Sequence, residues 1–223
     1  MRKRITIETY AEGTEGRLRF GLEAPAAIVA NGWPVSKVSR VPLTLLFAFR
    51  DDDDVEMFAF AEHGIGDEYD DYFEPDVLDW PSDCVAVVML RHGEVVNEYE
   101  RATPGEAGPV ARLYSFGARP YSGDQAVYAI FGREVDEAGE LLRMEGDGLQ
   151  EEDRYGWLMS DKVGGRCYAT FDDEIDFVGE EWEMLVQLSD PTMPIDVFFG
   201  AAPVLNLFRS GDDARLLIRG SFL

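Results

Sequence analysis

Thirteen carboxylates fall between Asp51 and Asp79, and no Lys or Arg interrupts them. They are Asp51, Asp52, Asp53, Asp54, Glu56, Glu62, Asp67, Glu68, Asp70, Asp71, Glu74, Asp76 and Asp79, with Tyr69, Tyr72, Phe73 and Trp80 set among them. Acids at this density can do one of four things. They can form a solvated turn and loop. They can present a docking face to a basic protein, with the aromatic rings as anchors. They can bind calcium, although no Asp-x-Asp-x-Asp-Gly loop with a Glu at its twelfth position is present. They can act as an acid–base pair, although nothing in their spacing sets two of them opposite each other. If the stretch is a partner-binding face, its residues are Asp51, Asp52, Asp53, Asp54, Asp67, Glu68, Tyr69, Asp70, Asp71, Tyr72, Phe73 and Glu74. Such a face could imitate nucleic acid towards a basic nuclease, because Lys and Arg that grip phosphates also accept carboxylates.

Other chemistry is thinly represented. His63 and His92 are the only histidines, each beside a glycine at the end of a strand-like run. Both read as solvated turn residues. Cys84 and Cys167 are the only cysteines, and free thiols in a reducing compartment are the expectation. The spacing of His and Cys predicts no zinc site. No nucleophile elbow, phosphate-binding loop or dinucleotide fingerprint occurs. The prediction is a protein that acts by binding, with no catalytic residues, metal or cofactor. The alternatives are an enzyme or small-ligand binder with a cleft between two similar halves, any enzyme being built on Asp, Tyr and Arg, or a housekeeping protein whose acidity only serves solubility.

Charge supports the same expectation. Asp and Glu number 44 against 20 Lys and Arg, for a formal net charge of −24 over 223 residues. That field repels nucleic acid and anionic lipid. It attracts basic proteins and accelerates their encounter. A general solubility or salt-adapted surface explains the acidity equally well, and the presence of only three lysines, Lys3, Lys37 and Lys162, fits that second explanation. Met1-Arg2-Lys3-Arg4 is basic, but Ile5-Thr6-Ile7-Glu8 alternates instead of forming a signal-peptide core. No apolar run is long enough to span a bilayer, so the predicted location is cytoplasmic.

The elements that position these residues are mainly strands. Apolar runs of about four to nine residues recur between Gly, Pro and Asp clusters, rich in Val, Phe and Tyr. They predict strands at Arg4–Tyr10, Arg17–Leu22, Leu43–Phe49, Val55–Ala61, Cys84–Leu90, Val110–Phe116, Ala126–Phe131, Arg166–Phe171, Trp182–Leu188, Val197–Phe199, Val204–Phe208 and Ala214–Phe222. Leu43–Phe49 is apolar on both faces, which predicts a strand covered on both sides. A short helix is predicted over Pro25–Ala30 and a longer one over Glu151–Lys162, with acids at its start and Lys162 near its end. Residues 133–150 read as a long surface connection with room for a turn of helix. Two stretches are alike, each a strand, a polar turn and a strand: Trp33 to Phe60, and Trp182 to Phe199. The whole chain, 1–223, is expected to form one β-rich α+β domain of mostly antiparallel sheet with few helices, built of two similar halves.

The order of segments resembles the YwqG-like family of bacterial proteins. The resemblance is carried by Trp33-Pro34 followed by Pro42-Leu43-Thr44-Leu45-Leu46-Phe47, then Met57-Phe58-Ala59-Phe60 and Glu68-Tyr69-Asp70-Asp71-Tyr72-Phe73. Lys162-Val163-Gly164-Gly165, Leu185-Val186-Gln187, Phe199-Gly200 and Val204-Leu205-Asn206-Leu207-Phe208 complete it, over about residues 30 to 210. Two positions depart from the family pattern. Gly200-Ala201 stands where the family has Gly-Asp, and Arg166-Cys167-Tyr168-Ala169-Thr170 replaces its Pro and Gln after Gly-Gly. The resemblance implies an α+β fold with extensive sheet. It also implies a link to toxin systems, and hence an immunity protein that binds and neutralises a basic toxin.

Overall fold

The computed structural model describes residues 3–13, 15–62, 78–79, 82–113, 121, 125–167, 181–189, 193–196 and 201–221. Within them the chain runs β1 (Lys3–Glu12), β2 (Leu18–Phe20), α1 (Ala26–Asn31), β3 (Thr44–Arg50), β4 (Val55–Ala61), β5 (Leu78–Asp79), β6 (Val85–Arg91), β7 (Glu94–Val95), β8 (Arg112–Leu113) and β9 (Val127–Asp136). It continues through α2 (Glu137–Gly146), α3 (Glu151–Met159), β10 (Lys162–Gly164), β11 (Glu183–Ser189), β12 (Ile195–Asp196), β13 (Ala201–Ser210) and β14 (Asp213–Ser221). Twelve strands form one sheet in the order β5-β14-β13-β11-β10-β1-β9-β2-β3-β4-β6-β7, while β8 and β12 pair separately. Every ladder among the described residues is antiparallel. The fold is therefore β-rich and mostly antiparallel with few helices, as the short alternating runs predict.

The sheet curls, so that β14 near one end packs on β4 and β6 near the other. Successive side chains on a strand point to opposite faces, so each strand feeds two cores. The inner face gathers Phe20, Phe47, Phe49, Met57, Met89, Val186, Leu207 and Ile218 into one cluster. On the outer face of β3, β4 and β6, Leu45, Phe58, Phe60 and Val88 pack under Ile28 of α1 and Trp33. A smaller outer cluster joins Trp182, Met184, Phe208 and Leu217. Each large side chain buried in this way contributes about 1.5–3 kcal/mol. β3 is covered on both sides, which explains its unbroken apolar run.

Trp33 anchors the outer layer. Its indole N–H donates to the Leu43 carbonyl at 2.7 Å, and its ring meets Phe60 edge-on with centroids 5.3 Å apart. Gly32 ends α1 at φ +108°, and a Cβ there would lie 2.4 Å from the Ala102 carbonyl oxygen. Only glycine fits that corner.

Three expectations need revision. Residues 137–146, where the expected surface connection had room for only a turn of helix, form the ten-residue α2. Its acids Glu137 and Glu140 lie in the first turn and Arg143 in the last, which suits the helix dipole. Helix α3 stops at Met159 and Ser160 is already extended, so Lys162 opens a strand instead of closing a helix. In the second of the two similar stretches, β11 pairs with β10 and β13, whereas β12 pairs with β8. It is not a hairpin like β3–β4.

Candidate functional site

The acidic run begins in the β3–β4 turn, and the turn itself needs some of those acids. Asp51 Oδ1 accepts the N–H groups of Asp53 and Val55, both at 2.9 Å, and the Asp51 N–H returns to the Val55 carbonyl at 3.0 Å. Asp54 takes the left-handed position at φ +59°, which short Asp and Asn side chains tolerate better than most. A three-residue loop closing on a left-handed residue is a common hairpin solution. The other oxygen of Asp51 receives the guanidinium of Arg209 from β13, which also reaches Asp53 at 3.3 Å. Arg91 at the end of β6 meets Asp212 in the β13–β14 turn at 2.9 Å. These pairs clasp the two ends of the curled sheet.

Beside that clasp the inner face opens into a cleft of about 760 Å³. Ile5, Phe49, Val163 and Leu185 give it apolar walls, and charged groups surround them. Asp51, Asp52, Asp53, Glu134, Glu181 and Glu183 line the cleft, against the bases Lys3, Arg17 and Arg209. Each base is already engaged. Lys3 pairs with Glu134, Arg17 with Asp52 at 3.0 Å, and Arg209 with Asp51 and Asp53. Six carboxylates against three bases leave a formal lining charge of −3. An opening with apolar walls and an uncompensated acidic lining suits cationic side chains with long aliphatic stems.

A second ionic cluster lies on the outer face, fully out of water. Arg4 of β1, Glu137 of α2 and Lys162 of β10 are all buried. Glu137 accepts from the Lys162 ammonium at 3.1 Å, from Arg4 at 3.5 Å and from the backbone N–H of Arg166 at 2.7 Å. Arg4 also donates to the Trp157 carbonyl at 2.6 Å and to Ser160 Oγ at 2.7 Å, with its guanidinium 3.8 Å from the Trp157 ring centre. Gln187 Nε2 donates to the Leu158 carbonyl at 2.9 Å. The carbonyls at the end of α3 thus find donors on the sheet, and a carboxylate stands at the start of α2 where the dipole favours it. Burial lowers the Lys162 pKa to about 8, with Glu137 opposing the shift and Arg4 adding to it. Tyr10 donates to Asp161, and burial together with that carboxylate pushes the phenol well above its ordinary pKa. This cluster bolts two helices to the sheet.

Asp51 is committed to the turn and the clasp. Asp52 and Asp53 line the cleft, and Asp54 stands exposed beside them. Asp67, Glu68, Tyr69, Asp70, Asp71, Tyr72, Phe73 and Glu74 lie outside the described residues, as does His63. His92 is exposed at φ +52° in the two-residue His92-Gly93 turn between β6 and β7, the solvated site expected of it. Cys84 and Cys167 carry no disulfide. Among the described residues no group of three or more His, Cys, Asp and Glu is arranged to hold a metal, and no helix is long and apolar enough to cross a membrane. Sequence reasoning missed Glu134, Glu181 and Glu183. They are far from Asp51 in the chain, and only the curl of the sheet brings them to one opening. No protein-family model matches this chain, and a search of curated proteins found no match.

Proposed function

We propose that this chain is a binding protein of the immunity type, which takes a basic segment of a toxin into the acid-lined cleft and acts without catalysing a reaction. The observation that carries this reading is the cleft's excess of three carboxylates around apolar walls, in a chain of net charge −24. Long-range attraction would set the rate of encounter, and apolar contact inside the cleft would set the lifetime of the complex. The resemblance to the YwqG-like family supplies the toxin as the class of partner. It also supplies the finer fold assignment, an α+β domain with extensive sheet. A nuclease grips phosphates with Lys and Arg that also accept carboxylates, so it is the first partner to test.

The test is capture from the native cell at low salt, followed by reconstitution with the purified partner. The reading predicts a basic protein whose toxicity the chain abolishes at equimolar ratio. Recovery of no such partner sinks it. A second reading, a small-ligand binder, draws on the cleft volume, which falls within the usual range for such sites.

A further inference from the structure

We draw no further inference here: the strongest candidate, the acid-lined cleft on the inner face beside the Arg209–Asp51 clasp, belongs to the site already described and adds to it no observation beyond its carboxylates.

Discussion

The Arg4–Glu137–Lys162 cluster and the clasp around Arg209 use the same chemistry at opposite extremes of solvation. In the first, none of the three side chains exceeds 4% exposure. In the second, Asp51 is at 7% and Arg209 at 15%, but their neighbours Asp52 and Asp53 are at 91% and 76%. Desolvation makes the buried pairs costly to assemble and more costly to break, because removing one partner strands the others. Water screens the pairs made by Asp52 and Asp53 and makes each nearly dispensable for folding, while the Arg209–Asp51 pair is itself largely desolvated. A single substitution therefore costs more in the outer cluster than among the exposed acids of the cleft. Glu137 offsets part of the cost of burying the Lys162 ammonium.

The sharpest way to break that contrast is Glu137→Gln. It leaves the Lys162 ammonium and the Arg4 guanidinium buried without their carboxylate, and should cost about 3–5 kcal/mol in urea unfolding. Binding of a basic partner at the cleft should be unchanged wherever the variant is folded. A loss below about 1 kcal/mol would mean that water reaches the cluster.

The same cluster predicts a pH dependence. Lys162 has its folded pKa lowered to about 8 from an ordinary 10.5. Between those values the unfolded chain holds a proton that the folded chain has released, so stability rises with pH across that window. Below about pH 8 the penalty of burying the cation is fully present. The slope should be at most about 1.4 kcal/mol per pH unit. Glu137, Arg4 and Cys167 are the titratable groups that act on this ammonium. Tyr10 acts in the opposite sense, because its raised pKa makes the folded state keep a proton longer, and stability falls as pH climbs beyond 10. Denaturant midpoints from about pH 7.5 to 9.5 should therefore climb in the parent and stay flat in Lys162→Met. A parent profile already flat would place Lys162 in contact with solvent.

At the clasp, Asp51→Ala removes the acceptor for the Asp53 and Val55 N–H groups and the partner of Arg209 together. The expected loss is about 1–3 kcal/mol, because the site is largely desolvated. Arg209→Ala should lose less, since the turn hydrogen bonds survive it. Equal losses would show that the clasp, and not the turn, is what Asp51 serves.

These two regions differ as much in how legible they are from sequence. Val55–Ala61 can be read to the residue, because Val55, Met57, Ala59 and Ala61 face one core and Phe58 and Phe60 another, so every position is apolar except Glu56. The acids of the β3–β4 turn are likewise visible as a run. The outer cluster is not. Arg4, Glu137 and Lys162 are separated by more than a hundred residues at the widest, and each sits in a locally ordinary context. Lys162 suits a helix C-terminus so well that its three-residue strand goes unseen, and the glycines at 139 and 146 mask the pattern of α2. Glu181 and Glu183 are hidden for the same reason. Nothing near them in sequence distinguishes them, and only the curl of the sheet brings them to one cleft with Asp52.

The smallest expected effect tests the exposed side of the comparison. Asp54 is exposed, holds φ +59°, and meets Arg50 only at 3.8 Å. A glycine there gives up that solvated ion pair, which is worth little, and removes the Cβ that disfavours the left-handed conformation. Because the native turn already requires that conformation, Asp54→Gly should change stability by no more than about 0.5 kcal/mol, in the stabilising direction. The net charge falls by one, which also relieves self-repulsion. Thermal unfolding of the purified variant measures it. Destabilisation by more than about 1 kcal/mol would show that the Asp54 carboxylate is structural, as the Glu137 carboxylate is, and would move the boundary between the two kinds of charge into the turn itself.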